Sequence, residues 1–507
     1  MSQFYPLFIG GKKVSARSGE TFEVINPSNG KVCATVAKAG VEDVNEAIHV
    51  AGETFESGVW CRVPPGERAD MMFKIADRIA KRAQELASLE TTQSGGTLRR
   101  TMGSDVLLLA QQFTVTGQIL NNFPIREELP SIGWPGPSIN IIEREPVGVC
   151  GLITPWNFPM LLAGWKLAPA IAMGNAVVIK PASNTPLTTL LLAEIFQECG
   201  LPDGVVNVVA GPGALIGEAI VTHAGVDKIS FTGSTAVGRR IMQLASHTVK
   251  RVTLELGGKS PAIVLRDADP DLVSEGALFA TFLHSGQICE SGTRLIVPRE
   301  LQDDIVDRLV AKASTITIGN AMELTTGMGP VVSKTQQETI LNYIQAGLDE
   351  GATLACGGKI PDLPEALAGG FYVQPTIFKN VDNSMKIAQE EIFGPVLCVI
   401  PYDTEEEAVR IANDTIYGLA AGVWSKNVSK AQNIGRKLRA GTVWINDWHM
   451  LRPDAPFGGY KQSGFGRESG YQVLFEYSQT KHLHTSMVPD VNQRTWYRLL
   501  FDSWATK

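Results

Sequence analysis

A single thiol, Cys289, stands in the run Gly286-Gln-Ile-Cys-Glu-Ser-Gly-Thr-Arg294, just ahead of a strand-like Leu-Ile-Val-Pro. A thiol is a strong nucleophile once ionised, yet cysteine is also among the residue types most often simply buried. The neighbouring Glu290 sharpens the question, because an inward-facing carboxylate raises a thiol pKa. The sequence therefore predicts that Glu290 lines a substrate path or meets a cation, as a specificity residue and not a catalytic one. Glu255, in Leu-Glu-Leu-Gly-Gly-Lys259, lies between leucines at the end of a strand-like run. An apolar setting lifts a carboxyl toward the range of a general base; pairing with Lys259 is the alternative. Asn157, in Thr154-Pro-Trp-Asn-Phe-Pro159, is held between prolines, where its amide either donates to an oxyanion or closes a turn.

Three further segments suit phosphates and sugars. Phe231-Thr-Gly233-Ser234-Thr-Ala-Val237-Gly follows a strand-like run and opens a helix, a place where backbone amides favour an anion. Gly211-Pro-Gly213-Ala-Leu-Ile-Gly217 is a similar turn, equally readable as a tight helix entry. Lys180-Pro-Ala-Ser183 ends another strand, from which a lysine reaches a ribose or a phosphate, or stays solvated.

Such groups need a scaffold that brings strand ends together. From about residue 147, short β-rich runs (147–150, 176–179, 205–209, 228–231) alternate with helical segments, one ending near Gly200. A second alternating series follows Glu255, with strands near 263–265, 295–297, 396–400 and 443–445, and helices near 299–316, 334–349, 404–414 and 426–439. The pattern predicts an α/β protein of two doubly wound domains with a cleft between them, with ligands at the carboxyl ends of strands. Residues 64–96 carry Met72, Ile75, Ile79, Leu86 and Leu89 on one face and predict a long amphipathic helix. Residues 122–145 and the stretch after Tyr477 belong to neither series; Tyr477 to Ser486 reads as an edge strand open to a second subunit.

Bulk properties narrow the classes. A chain of 507 residues is too long for one simple core. The net charge of −7, with no long basic run, argues against nucleic acid, and the Arg99-Arg100 pair reads as a solvated helix end. No secretory pattern opens the chain, and the longest apolar tract, near 161–179, is broken by Lys166, Pro169, Gly174 and Asn175, so no membrane span is expected. Seven scattered cysteines without Cys-x-x-Cys predict neither a disulfide framework nor a metal site, and point to a reducing cytoplasm.

Taken together, the motifs Pro155-Trp-Asn-Phe-Pro159, Lys180-Pro181, Phe231-Thr-Gly-Ser-Thr235, Glu255-Leu-Gly-Gly-Lys259, Gly286-Gln-Ile-Cys289, Glu390-Glu-Ile-Phe-Gly-Pro395 and Pro456-Phe-Gly-Gly-Tyr-Lys-Gln-Ser-Gly464 make nearly the whole chain resemble NAD(P)-dependent aldehyde dehydrogenases of the hydrolytic type. The resemblance implies Rossmann-like cofactor and catalytic domains plus a small β oligomerisation element. The implied boundaries are 1–122 and 146–256 for cofactor binding and 257–462 for catalysis. The oligomerisation element takes 123–145 and 463–490, and 491–507 form a tail extension. It implies a homodimer or homotetramer that oxidises an aldehyde to an acid with NAD.

Residue by residue, the resemblance implies that Cys289 attacks the aldehyde carbon and that Asn157 and the cysteine N–H hold the oxyanion. Glu255 would activate the water that hydrolyses the thioester, with Lys166 and Glu468 relaying protons. The cofactor cleft would be built by Ile153, Thr154, Pro155, Trp156, Lys180, Ser183, Gly213, Gly217, Phe231, Gly233, Ser234, Val237, Leu256, Gly257, Glu391 and Phe393. Phe158, Leu161, Leu162, Trp165, Ile288, Glu290, Leu451 and Phe457 would line a largely apolar substrate pocket, in which Glu290 and Asp447 would disfavour anionic aldehydes and favour cationic or hydroxylated ones, and Arg452 at the mouth would do the opposite. Many NAD-preferring relatives carry a glutamate where this chain has Ser183; losing that repulsion predicts that NADP is also accepted.

Three rival readings remain. A CoA-acylating relative would commonly lack the base that Glu255 provides, a catalytically silent relative would lack the cysteine or the base, and a plain thiol hydrolase would need a histidine in a matching context. In the tail, Trp496, Leu500 and Trp504 recur at helical spacing, so that stripe is expected to dock on its own or a neighbouring subunit.

Overall fold

The computed structural model describes residues 3–132, 134 and 136–501. Two large sheets dominate it. The first runs in the order Gly464–Phe465, Arg251–Glu255, Lys228–Thr232, Val149–Ile153, Ala176–Lys180, Val206–Val208, Leu7–Ile9, Lys12–Val14. Its five central strands are parallel and almost wholly buried, which is why they read as unbroken apolar runs. The chain starts at Val149–Ile153, moves outward through Ala176–Lys180 to Val206–Val208, then returns to the other side with Lys228–Thr232. The order therefore reverses between Ile153 and Thr232, and a crevice opens there at the carboxyl ends.

The second sheet has the order Thr353–Cys356, Thr376–Lys379, Val396–Tyr402, Arg294–Pro298, Pro261–Val264, Ala420–Trp424, Thr442–Ile445, parallel except for the first strand. The two sheets meet head to tail. Glu255 ends a strand of the first, and after a Gly-Gly turn Pro261 begins a strand of the second. Cys289 and Glu391 precede Arg294–Pro298 and Val396–Tyr402, so the second sheet presents its amino ends to the crevice. The carboxyl-end rule thus holds for one wall of the site only.

The two segments outside the α/β series form one antiparallel sheet, Ser478–Ser486, Ser138–Pro146 and Arg126–Glu128. Ser478–Ser486 is its edge and is mostly exposed. A further small sheet joins Gln3–Tyr5, Lys31–Ala37 and Thr21–Asn26.

Three sequence expectations need correction. The single helix over 64–96 is two, Pro65–Lys81 and Ala83–Ser94, broken at Arg82, whose backbone leaves helical geometry at φ −105°. Arg99 is exposed, but Arg100 is buried: its guanidinium pairs with buried Asp105 at 2.9 Å and lies 4.3 Å above the Phe158 ring. A buried guanidinium needs such a partner, and local charge counting does not reveal one. In the tail, Thr495–Leu499 is a short 3₁₀ turn in which Trp496 packs toward Gly136, while Leu500 is exposed. Trp504 lies outside the described residues. No helix among the described residues is long and apolar enough to cross a membrane.

Candidate active site

Every residue of the helix Pro159–Ala172 is buried. It holds Leu161, Leu162 and Trp165 against a cleft also lined by Asn157, Phe158, Thr232, Glu255, Ile288, Cys289, Glu290, Leu451 and Phe457, enclosing about 470 Å³. All eight residues expected to line the substrate pocket are there. The Trp165 and Phe457 rings meet edge to face at 5.3 Å, and Phe158 packs likewise on buried His284. Asp447 is exposed and accepts from the Trp448 N–H, while Arg452 is paired with Asp454 at 2.7 Å, so neither charge enters the cleft.

Cys289 sits on a loop pinned by Gln287. That side chain accepts from the Val332 N–H at 2.9 Å and donates to the His284 carbonyl at 3.0 Å. Asn157 Nδ2 donates to the Gln287 carbonyl at 2.9 Å, tying the first sheet's crevice to the thiol loop. Asn157 and Cys289 line both clefts together. Burial pushes the Cys289 thiol well above its usual range, and the Glu290 carboxylate pushes it further.

Glu255 has both carboxyl oxygens buried and without a hydrogen-bond partner among the described residues. Burial raises its pKa well above 4.5; nearby Glu468 adds to the rise, and Lys166 and Arg467 oppose it. The expected alternative, a pair with Lys259, does not form, since that ammonium is itself unpartnered. A Cβ at Gly458 would approach Glu255 Oε1 to 2.7 Å, so a larger residue there would crowd the carboxyl. Behind it, buried Lys166 donates to Glu468 at 2.5 Å and to Ser230 at 3.0 Å.

A second cleft of about 860 Å³ opens on the other side of Cys289. Its walls include the expected Pro155, Trp156, Gly233, Ser234, Leu256, Gly257, Glu391 and Phe393. Trp156 and Phe393 meet edge to face at 5.2 Å, and Phe393 takes a left-handed φ of 56°. Glu391 accepts from the Gly258 N–H at 3.0 Å, yet burial lifts its pKa to about 7. Ser234 caps the helix Thr235–Ala245 by accepting from the Val237 N–H at 3.4 Å, leaving the other first-turn amides facing outward. The remaining expected residues line neither cleft. Ile153, Thr154 and Phe231 are buried at strand ends, Val237 is exposed on the helix, and Gly213 begins an open turn. Lys180 is buried, its stem lies against Gly217 and its ammonium donates to the Pro181 carbonyl at 2.9 Å; burial lowers its pKa to about 8. Ser183 donates to the Gly211 carbonyl at 2.7 Å.

Several lining residues escaped the sequence reading. Thr232 ends a central strand, Ile392 sits within the Glu391–Phe393 motif, and Gln336, Thr339 and Tyr343 come from the helix Lys334–Asp349. Gln336 donates to the carbonyls of Ile392 and Phe393, bracing that loop. Their spacing of three and four is the one available signal, a polar stripe on an otherwise ordinary helix. The other omission is His449. Its Nδ1 lies 3.1 Å from Glu290 Oε1, while Glu290 Oε2 accepts from the Cys289 thiol at 3.2 Å. Glu290 thus lines the pocket, as expected, and also meets the His449 ring. Burial pushes its pKa up, but the hydrogen bond and charge of His449 outweigh that and hold it below the usual range.

Residues 13–483 match the pattern of the "Aldehyde dehydrogenase family". The chain is 44% identical to betaine aldehyde dehydrogenase of Bacillus subtilis (strain 168), covering 95% of this chain and 98% of that one. It is 42% identical to phenylacetaldehyde dehydrogenase of Pseudomonas fluorescens, over 94% and 95% of the two. Among solved structures, a betaine aldehyde dehydrogenase from Staphylococcus aureus in complex with NAD+ superposes with a TM-score of 0.93 at 41% identity, over 96% of each chain. On fold, motifs and extent of match, this chain belongs to the aldehyde dehydrogenase family.

Proposed function

We propose that the protein oxidises an aldehyde to its carboxylic acid with NAD, through a thioester on Cys289 that water hydrolyses. The observation that carries this reading is the position of Cys289 between the two clefts, with the unpartnered Glu255 carboxyl lining the same apolar cleft. In this reading Cys289 attacks the aldehyde carbon and the free hydrogen of Asn157 Nδ2, with the cysteine N–H, steadies the charge that develops on oxygen. The larger cleft fits a dinucleotide: the helix amides behind Ser234 suit phosphate, Glu391 suits a ribose hydroxyl, and the Trp156–Phe393 wall suits a flat ring. A nicotinamide bound there supplies the hydride acceptor. Glu255 then removes a proton from the attacking water, with Lys166 and Glu468 passing it onward. The presence of Glu255 favours hydrolysis over transfer to CoA.

The substrate class follows from the first cleft. Its walls are largely aliphatic and aromatic; of its two carboxyls, Glu290 is already engaged by His449 and the thiol, and burial disfavours the charged form of Glu255. Medium-sized apolar aldehydes, aromatic ones included, are therefore favoured over a cationic aldehyde such as the one the Bacillus subtilis relative is named for. NADP use in addition to NAD is proposed from Ser183. A homodimer or homotetramer joined along the open Ser478–Ser486 edge, working in a reducing cytoplasm that keeps the thiol free, completes the reading.

The test mixes the protein with NAD and a panel of aldehydes and follows reduced nicotinamide and acid product without CoA. Apolar aldehydes are expected to be turned over best, and Cys289→Ala to abolish turnover. Acid that forms only when CoA is supplied would overturn the hydrolytic reading.

A further inference from the structure

We propose that Glu290 and His449 form a proton relay for the nucleophile: Glu290 takes the proton of the Cys289 thiol, and His449 keeps Glu290 able to take it. The inference deepens the reading above and rests on Cys289 being its nucleophile. Glu290 Oε2 is the acceptor the thiol actually faces, at 3.2 Å, whereas neither oxygen of Glu255 has a partner. On its far side, Glu290 Oε1 meets His449 Nδ1 at 3.1 Å, and His449 Nε2 meets the Ala280 carbonyl at 3.2 Å. His449 thus engages one carboxyl oxygen of Glu290 and leaves Oε2, the oxygen the thiol faces, open for its proton.

The placement is held at some expense to the backbone. His449 takes a left-handed φ of 59°, a conformation non-glycine residues avoid unless their surroundings impose it. Trp448 imposes it here. It is buried against Gly292 and Gly422, and its indole N–H donates to the Glu290 carbonyl at 3.1 Å. The His449 ring is further braced edge to face on Phe279 at 5.3 Å. The titratable groups facing the sulfur are Glu290, Glu391 and Glu255; those facing Glu290 are His449 and the thiol itself.

The step balances without any added reactant. The S–H bond breaks as its proton moves to Glu290 Oε2, the sulfur pair forms the bond to the aldehyde carbon, and the carbonyl π pair moves to oxygen. When the thioester is cleaved, the departing sulfur takes the proton back from Glu290. The two carboxyls flanking the sulfur then divide the work, Glu290 serving attack and Glu255 serving hydrolysis.

A carboxylate that only repels the thiolate would have the opposite consequence, so the two roles separate by sign. Alkylation of Cys289 by iodoacetamide, followed from mildly alkaline to mildly acidic pH, needs no aldehyde and therefore reads the relay even if the proposed oxidation fails. The wild-type rate is expected to stay nearly flat, because the proton has an internal acceptor. In Glu290→Gln and Glu290→Ser it is expected to fall about tenfold per pH unit. His449 is a positioning residue; His449→Phe keeps a ring on Phe279 and is expected to move the acid edge of the plateau to higher pH. With aldehyde and NAD, the first burst of reduced nicotinamide is expected to slow about 10²-fold in Glu290→Gln. A wild-type rate that itself falls about tenfold per unit, or a Glu290→Gln enzyme alkylated faster at every pH, would overturn the relay.

Discussion

Glu255 and Glu290 both line the pocket of one sulfur, both are withdrawn from solvent, and their carboxyls are pushed in opposite directions. Glu255 closes a strand of the first sheet with nothing to hydrogen-bond, and burial leaves its charged form disfavoured. Glu290 belongs to the loop before a strand of the second sheet, where His449 and the thiol satisfy it and favour the charge. Burial is common to both, so burial does not set the ionisation of a carboxyl here; the partner does. An orphaned carboxyl has a raised pKa, so its ionised form is the stronger base, which suits work on a poor nucleophile such as water. A satisfied one is the weaker base, and a proton passed to it is readily given back.

The largest expected effect comes from deleting the orphan's charge. Glu255→Gln should keep the first burst of reduced nicotinamide but slow steady turnover by about 10²–10⁴-fold, read by stopped-flow absorbance. A burst lost in parallel would place Glu255 before the acyl-enzyme and erase the division between the two carboxyls. The same variant tests the orphan thermodynamically. A carboxyl whose folded pKa lies above its unfolded value favours the fold while protonated. That contribution is complete below about 4.5 and is lost as pH rises through the folded value. Glu255→Gln should therefore melt higher than wild type at mildly alkaline pH, and the gap should close in acid.

The next effect manufactures an orphan. Glu468 is as buried as Glu255 but is paired with Lys166 at 2.5 Å, on a helix that is buried at every residue and has no room to adjust. Lys166→Met strands that carboxylate, at an expected destabilisation of about 3–5 kcal/mol in denaturant melts. Adding Glu468→Gln should restore much of the loss. If the single variant melts like wild type, the pair is not what makes Glu468 tolerable.

The contrast also marks how far the sequence could be read. Most strands of the first large sheet, four of the seven in the second and the eight expected substrate-pocket residues were legible, because buried parallel strands and strand-end motifs are local signals; Thr232 and the strands Thr353–Cys356, Thr376–Lys379 and Ala420–Trp424 were not. Glu255 could be read as a base for the same reason: its leucine neighbours lie next to it in the chain. The partners of Glu290 and Arg100 were not legible. His449 is 159 residues from Glu290, on a loop shaped by the packing of Trp448, and no nearby histidine announces it. Arg100 looked solvated because Asp105, its partner, matters only once both are buried. The break at Arg82 had no proline or glycine to signal it.

The smallest effect places a new carboxylate outside the lining of the larger cleft, at the strand end that carries Lys180. Ser183 now spends its hydroxyl on the Gly211 carbonyl at 2.7 Å, and Lys180 on the same strand end is buried against the Gly217 turn. A glutamate at 183 would be neither orphaned like Glu255 nor paired like Glu290. It would stand half-buried, beside an ammonium whose burial has lowered its pKa to about 8. Such a charge is cheap to keep and strong enough to repel a second phosphate on the sugar. Ser183→Glu should lower the NADP-to-NAD ratio of kcat/KM about tenfold, or about 1.4 kcal/mol, while leaving kcat with NAD unchanged. Because the burst and the alkylation profile depend on the sulfur's own carboxyls, neither should move. A ratio unaffected by the substitution would mean that the sugar does not reach this strand end, and that the preference is set within the larger cleft, at Glu391.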